Sequence, residues 1–198
     1  MNKKITFLLS LIFLVLFSCS VYGGVLEDFQ SGLDAHQRKD YKEAVRLMLP
    51  IAEQGYAEAQ NNLGWMCNHG QGIPQDFKEA VKWYRLSAEQ GFAMAQSNLG
   101  RIYLSGQGVS QDFKEAVKWY RLSAEQGNAK AQLNLGWMYD NGQGVLQDYA
   151  LAHMWFNLCG SSGDQACVGN RSIIEKKMSP SQVEKAQEMA KNWKPTKK

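Results

Sequence analysis

The chain has 198 residues, of which 44% are hydrophobic and 11% aromatic, and its 22 basic residues oppose 19 acidic ones. This length suffices for one or two ordinary domains, or for a single array that grows by stacking. The net charge of +3 is small and gives none of the clustered basic surface that nucleic-acid-binding proteins usually carry. We therefore expect no nucleic-acid partner.

The first predicted element is an export signal at residues 1–23. Lys3 and Lys4 precede an almost wholly apolar stretch at residues 5–17. That stretch is too short for the helix of about 20 residues that crosses a bilayer. It matches the apolar region of a secretory signal peptide, which is removed after export.

Two cleavage sites for this signal remain open. The sequence Val-Tyr-Gly at 21–23 suits ordinary signal peptidase, whereas Leu-Phe-Ser-Cys at 16–19 resembles a lipobox and would make Cys19 the lipidated residue. The first alternative predicts a periplasmic or secreted protein. The second predicts a lipoprotein that contacts the membrane only through its N-terminal lipid.

A repeated unit of 36 residues occupies most of the segment 24–178. Aspartates mark the unit at a constant interval, at Asp40, Asp76, Asp112 and Asp148. The sequence DFKEAVKWYRLSAEQG begins at both the second and the third of these aspartates, and diverged versions begin at the other two. Self-similarity at such a period predicts a repeat architecture.

Each unit is predicted to form two helices. Asp112 is a good N-cap, and Glu115 follows three residues later, as in a capping box. Apolar residues then recur at helical spacing until Gly127, which should end this second helix. The first helix spans about 93–103 and ends in a Gly-Gln-Gly loop, whose glycines can adopt positive φ.

Partial units flank the complete ones. Residues 27–39 and 164–177 should each supply a first helix. Ser179 and Pro180 then begin a last helix, so we assign 179–198 to a C-terminal capping helix and a basic tail that is frayed and solvated. The predicted fold is all-α: an α-solenoid, coiled as a right-handed superhelix, of about five helix pairs with a C-terminal capping helix.

The repeat has the pattern A-x-A-Q-x-N-L-G-x-x-Y-x-x-G-x-G-V-x-Q-D, and this pattern resembles the Sel-one-like repeat (SLR) family, a relative of the tetratricopeptide repeat. The resemblance is close from Asp40 to Gly163 and looser in the flanks. It implies a solenoid of helix-turn-helix units that acts as an adaptor or scaffold for protein complexes. It also implies that the first helices line the concave groove. Many bacterial members of the family are exported, which agrees with the signal predicted at residues 1–23.

Two of the cysteines are predicted to form a disulfide. A shift of one repeat places Cys159 and Cys167 on Ser123 and Ala131, near the end of one helix and the start of the next. Small residues there imply a close approach of the backbones, which suits a disulfide in an exported protein. The cysteine-rich SLR subgroup, which this spacing resembles, implies the same pairing, and a metal site is the alternative. Cys67 is expected to be a buried free thiol.

No arrangement typical of a catalytic centre appears in the sequence. The three histidines are isolated from one another, and no H-E-x-x-H, C-x-x-C or S-x-x-K occurs. We expect no enzymatic activity, no cofactor and no metal. The alternative, an envelope hydrolase or binder of β-lactam or peptidoglycan-like ligands, follows only from activities credited to some cysteine-rich SLR proteins.

The candidate binding residues are those that differ between repeats whose second helices are identical. They lie on the first helices at helical spacing, which places them on one face. Together with an asparagine that recurs unchanged beside them, the predicted groove residues are Glu58, Asn61, Asn62, Trp65, Met94, Ser97, Asn98, Arg101, Lys130, Leu133, Asn134 and Trp137. The tryptophans could instead pack against neighbouring helices, and the asparagines could satisfy loop groups.

The function predicted from these features is that of an exported scaffold or adaptor. Its concave groove would bind a protein or an extended peptide, since Trp and Arg are enriched at binding hot spots and amides can hold a peptide backbone. A glycan that stacks on the tryptophans is a third possibility. We expect the chain to be monomeric.

Overall fold

The computed structural model describes residues 24–161 and 163–196, so the predicted signal at 1–23 and the alternative lipidation at Cys19 lie outside the described residues. The described part contains helices and no strand. Within it, no helix combines the length and the apolar character needed to cross a membrane. The helices are α1 (24–37), α2 (Tyr41–Glu53), α3 (Ala57–His69), α4 (Phe77–Glu89), α5 (Ala93–Ser105), α6 (Phe113–Glu125), α7 (Ala129–Asn141), α8 (Tyr149–Gly160), α9 (Gln165–Glu175) and α10 (Pro180–Asn192).

The repeated aspartates begin the second helices, as predicted. The Asp112 carboxylate accepts hydrogen bonds from the backbone N–H groups of Lys114 and Glu115, at 2.9 and 3.0 Å. The predicted reciprocal half of the capping box is wrong, because the Glu115 carboxylate binds Trp119 Nε1 and Lys118 Nζ, each at 3.1 Å. The backbone N–H of Asp112 donates instead to the Tyr103 carbonyl at 3.0 Å.

Glycines end the first helices, also as predicted. Gly106 and Gly108 have φ values of 73° and 75°, in the left-handed region that other residues disfavour. A Cβ added to Gly108 would lie 2.5 Å from the Phe77 carbonyl oxygen. The Gly-Gln-Gly loop therefore packs onto the start of the second helix of the preceding repeat, and only glycine fits there.

Within each repeat, a glycine inside the first helix receives an aromatic ring of the second. An added Cβ on Gly100 would lie 2.8 Å from Cδ1 of Tyr120, whose side chain is completely buried. Gly64 faces Tyr84 at the same distance, and Gly136 faces Phe156. The absent side chain lets the two helices of a pair approach closely and explains a glycine that helical propensity alone disfavours.

The helix pairs stack into the predicted α-solenoid. From α2 to α9 each helix packs against the next in sequence, and α5 also contacts α7, so first helices of neighbouring repeats meet. The buried side chains form three successive clusters along the array, in the middle of which Tyr84, Leu99 and Ile102 have no exposure. No single pair could bury this much apolar surface alone.

The C-terminal helix closes the last core cluster. The predicted capping box is present at Ser179 and Gln182. As the second helix of the fifth pair, α10 packs against α8, and Trp193 meets Trp155 edge-on with ring centroids 6.2 Å apart. The expectation of a frayed tail is wrong up to Thr196, whose backbone N–H donates to the Glu125 carbonyl at 2.7 Å.

Candidate binding groove on the first helices

A cavity of about 300 Å³, which we call the central pocket, lies on the surface of the first helices. Residues of α1, α3, α5 and α7 contribute to it, together with the N-cap residue of α7. Its lining comprises His36, Asn61, Asn62, Trp65, Met94, Ser97, Asn98, Asn128 and Lys130. The structure thus brings seven of the twelve predicted groove residues into one pocket.

The lining of the central pocket is rich in amides and contains no carboxylate. The side-chain nitrogen of Asn98 donates to Oδ1 of Asn61 at 3.0 Å, which joins α5 to α3. Lys130 is exposed and is the one lysine or arginine in this lining. Groups of this kind can donate to and accept from a peptide backbone, and they favour an anionic ligand over a cationic one.

Trp65 forms one wall of the central pocket but is also part of the packing. Its ring meets His36 edge-on at 5.1 Å and lies over His69 at 4.2 Å, centroid to centroid. The side chain is half-buried and contacts two of the core clusters. Trp65 therefore has both roles: it packs against neighbouring helices and it lines the central pocket.

A second cavity, of about 310 Å³, lies further along the first helices, and we call it the C-terminal pocket. It is lined by Leu104, Leu133, Asn134, Trp137 and Asn170. Trp137 is 41% exposed, so most of one ring face is available to a ligand. The C-terminal pocket is thus more apolar than the central pocket and contains three more of the predicted residues.

Two predicted residues line neither pocket. Glu58 lies beside Phe29 in a separate small depression near α1. Arg101 lies on α5 between Asn98, which lines the central pocket, and Leu104, which lines the C-terminal pocket. Because side chains three residues apart share a helix face, Arg101 stands on the wall between the two pockets.

The surroundings of Arg101 are unusual. Burial raises the pKa of the Tyr84 and Tyr120 hydroxyls, and the positive charge of Arg101 opposes that rise at both. Neither hydroxyl has a hydrogen-bond partner within the described part of the chain. Arg101 itself forms no ion pair with any described carboxylate and is partly exposed.

Other repeated polar residues serve the scaffold. The side-chain nitrogens of Gln60, Gln96 and Gln132 donate to the carbonyls of Ala52, Ala88 and Ala124, which ties each first helix to the second helix before it. The alternative for the asparagines was that they satisfy loop groups, and Asn134 bonds a helical carbonyl instead. The side-chain nitrogen of Asn134 donates to the Lys130 carbonyl at 2.9 Å, within its own helix.

Sequence reasoning missed two residues of the central pocket. His36 belongs to the incomplete first unit, where the 36-residue register is interrupted. Asn128 occupies the position held by Tyr56 and Phe92 in the other repeats. Because the repeats differ at this position, the sequence could have identified it as a candidate binding residue. Its side chain caps α7 by accepting from the Ala131 N–H at 3.0 Å.

The two paired cysteines join α8 to α9 as the sequence predicts. A disulfide links Cys159 and Cys167, with Cα atoms 5.8 Å apart. The carboxylate of Asp164 lies within 4.8 Å of both sulfurs but caps α9 through the N–H groups of Ala166 and Cys167. Cys67 is a buried free thiol, and burial raises its pKa to about 11.

His153 has the surroundings of a structural histidine. Its side chain is completely buried, and Nε2 lies 2.8 Å from the Glu175 carboxylate across the α8–α9 contact. Arg171, on the same helix as Glu175, bonds Asn157 on α8 at 2.9 Å. These contacts hold α9 against α8. Because the His153 side chain has no exposure, it cannot reach a substrate.

Comparison with known protein families identifies the repeat. The Sel1 repeat model matches residues 29–56, 57–92, 93–128 and 129–164, without a gap from the first to the last. The chain belongs to the Sel1-repeat family. The matched boundaries coincide with the helix pairs from α1–α2 to α7–α8, which confirms the predicted resemblance. Sel1-repeat proteins are generally scaffolds for protein interactions and are typically non-enzymatic.

Two solved Sel1-repeat structures are similar to this chain. A Sel1 repeat protein from Oxalobacter formigenes shares 34% sequence identity over 74% of this chain and 58% of that one, with a TM-score of 0.71. A protective antigen of uropathogenic Escherichia coli, which displays an SLR fold, shares 29% identity over 90% of this chain and 47% of that one, with a TM-score of 0.61. This chain thus spans less than two thirds of either protein. Among curated proteins, none matches it significantly.

Proposed function

We propose that this Sel1-repeat protein is an exported scaffold that binds a protein, through an extended peptide segment, in the concave groove formed by its first helices. The observation that carries the proposal is the row of two adjoining pockets along α3, α5, α7 and α9. Ten of the residues that line them belong to the twelve predicted groove residues. Divergence on this face contrasts with the identical sequences of α4 and α6.

An extended peptide fits the lining better than a compact ligand does. Asn62, Asn98, Asn134 and Asn170 supply one amide in each successive repeat, and each lines one of the two pockets. The side chain of Asn62 makes no hydrogen bond within the described part of the chain and is therefore available to a ligand. A row of amides can pair with successive backbone groups of an extended chain while side chains enter the pockets.

Export is supported by two independent features. The predicted signal at 1–23 has the charge and the apolar length of a secretory signal. The disulfide between Cys159 and Cys167 suits an oxidising compartment, where such bonds persist. We also propose that the chain is monomeric. Because its basic and acidic residues nearly balance, we propose that the groove, and not a charged surface, binds the partner.

The test is a titration of the partner, captured from the periplasm or medium of the producing cells, against purified variants. We expect Arg101→Ala and Trp137→Ala each to weaken binding by about thirtyfold, as truncation of central Trp and Arg anchors commonly does. Trp65→Ala should weaken binding as well, but its packing between His36 and His69 predicts a loss of stability too. Circular dichroism separates the two effects.

The control variants are Lys82→Ala and Lys118→Ala, on the second helices α4 and α6. Both lysines are exposed and form ion pairs with Glu79 and Glu115 of their own helix turns, and Lys118 Nζ also lies 5.2 Å from the Trp119 ring centroid. Exposed pairs of this kind contribute little, so both variants should fold and bind normally. If the lysine variants lose more affinity than Arg101→Ala and Trp137→Ala, the groove assignment is wrong.

A further inference from the structure

We infer that the groove is selective for an acidic side chain: Arg101 binds the carboxylate of an Asp or Glu in the extended peptide, between a segment in the central pocket and an apolar residue in the C-terminal pocket. This inference rests on the proposed function and adds the chemistry of the ligand.

The first argument is the position of Arg101 in the groove. It lies on the α5 face that also carries Asn98 and Leu104, so a chain that continues from one pocket to the other passes over it. Pockets on both sides imply that the peptide backbone continues past this point. The carboxylate that reaches Arg101 therefore belongs to a side chain and not to a C-terminus.

The second argument is charge. No acidic residue lines either pocket, and Lys130 of the central pocket adds a second basic side chain to the groove beside Arg101. Arg101 has no carboxylate partner among the described residues, whereas Arg46 pairs with Glu43 and Arg171 lies 3.7 Å from Glu175. The groove therefore offers uncompensated positive charge, which attracts an acidic ligand and disfavours a basic one.

The third argument concerns two buried tyrosine hydroxyls that interact with Arg101. The hydroxyls of Tyr84 and Tyr120 belong to side chains without exposure, and neither has a hydrogen-bond partner in the described part of the chain, while the positive charge of Arg101 acts on both. A buried hydroxyl without a partner is costly, so the nearby guanidinium is their natural donor. Arginine has five N–H donors in a fixed fork, so the donors that face the groove stay available for bidentate contact with a carboxylate.

The apolar neighbour of the acidic residue follows from the second pocket. Leu104, Leu133 and the exposed face of Trp137 form a surface suited to a large apolar or aromatic side chain. If neighbouring first helices lie about 8–10 Å apart, the usual distance between packed helices, the groove from α3 to α9 is about 25–30 Å long. At about 3.3 Å per residue, eight to ten extended residues fill it.

The experiment uses the purified protein and a random decapeptide library that is blocked at both termini, from which bound peptides are selected and sequenced. Enriched peptides are then synthesised in pairs that carry Glu or Gln at the acidic position, and their affinities are measured by fluorescence anisotropy. We expect the wild-type protein to prefer the Glu peptide by about tenfold or more, because the contact is charge-assisted and bidentate. A free C-terminus on the Gln peptide should not restore binding.

Variants of the protein locate the effect. Arg101→Gln should bind the Glu and Gln peptides equally, whereas Lys82→Gln, which removes one positive charge from α4, should keep the full preference. Arg101→Lys keeps the positive charge but not the planar guanidinium, so its preference for the Glu peptide over the Gln peptide should be intermediate. This variant keeps the test valid if Arg101→Gln folds poorly. Equal affinity of the wild-type protein for both peptides, with binding that still depends on Trp137, overturns this inference alone. Failure to select any peptide that depends on Trp137 overturns the proposed function as well.

Discussion

Gly100 shows how a single side chain sets the spacing of two helices. The ring of Tyr120 occupies the volume that a β-carbon would need, and the same contact recurs between Gly64 and Tyr84. The completely buried ring has no free space to move into. Helical propensity favours alanine at such a position by about 1 kcal/mol, so packing and propensity act in opposite directions.

We predict that packing wins, so that Gly100→Ala destabilises the protein by about 1–2 kcal/mol, since overpacking of a tight core usually costs about 1–3 kcal/mol. The matched control is Gly169→Ala in α9, where an added Cβ meets nothing within 4 Å and φ is not positive. The control should stabilise the protein by up to about 1 kcal/mol. Urea unfolding of both variants measures the signs, and a stabilised Gly100→Ala protein would contradict the packing argument.

Arg85 and Arg121 illustrate what the sequence alone could not explain. Both side chains are exposed, yet each donates to a tyrosine hydroxyl of the following first helix, Tyr103 or Tyr139, at 2.6 Å. In the first complete repeat, Cys67 replaces the tyrosine and Leu49 replaces the arginine. Where the arginine is absent, the tyrosine is absent too. The reason becomes visible only in the structure, which places the two helices side by side.

At the scale of elements, the disulfide fastens the contact between α8 and α9. Cys159 and Cys167 are separated by eight positions in sequence, so the bond closes a short loop. The chain-entropy estimate for such a loop is about 2–3 kcal/mol of stabilisation. Because each repeat contacts only its neighbours, the effect should be concentrated in α8, α9 and α10.

We therefore predict that reduction lowers the melting temperature by several degrees and that Cys159→Ser reproduces the loss. Adding reductant to the Cys159→Ser variant should change nothing further, since Cys67 is a buried free thiol. Hydrogen exchange should show the loss of protection mainly in α8–α10. Mass spectrometry that finds both thiols free in protein purified from the periplasm or medium would refute the disulfide and this prediction.

The elements also show which parts of the fold were predictable. Aspartate caps, Gly-Gln-Gly loops and the final capping box are local signals, and all three begin or end helices where the sequence indicated. The half of the capping box assigned to Glu115 failed, because Trp119 competes for its carboxylate. A local motif thus predicts a helix start reliably but cannot reveal a competing donor one turn away.

At the scale of the whole molecule, the twist between repeats decides which predicted groove residues meet. The sequence predicted one continuous strip, whereas the structure divides it into two pockets with Arg101 on the wall between them. His36 enters the central pocket because the turn between α1 and α2 is shorter than the later Gly-Gln-Gly loops, which shifts its register. Neither feature follows from helical spacing within one helix.

The C-terminal helix is predicted to be essential for the solubility of the array. Deleting residues 180–198 would remove Ala190, Met189 and Trp193 from the last core cluster and expose Trp155. Terminal repeats of a solenoid need such a covered end. We expect the truncated protein to aggregate or to lose α8 and α9 structure, and a milder loss of stability from Trp193→Ala.

Size-exclusion chromatography and circular dichroism measure this outcome. Lys185→Ala, an exposed position on α10 without an ion pair among the described residues, serves as the control and should behave as the wild-type protein does. A truncated protein that stays monomeric with an unchanged melting temperature would show that the last helix is dispensable.

The central claim is that the face of the first helices, and not that of the second helices, binds the partner. The most direct measurement places a photo-crosslinking amino acid at Met94 or Leu133 in the groove, and at Lys82 or Lys118 on the second helices, in the cells that produce the protein. Met94 is 56% exposed and the two lysines are exposed, so these substitutions should preserve the fold. The account predicts a discrete crosslinked species from the groove positions, which Trp137→Ala diminishes, and none from the lysine positions. Crosslinks of equal or greater yield from Lys82 and Lys118 would contradict it.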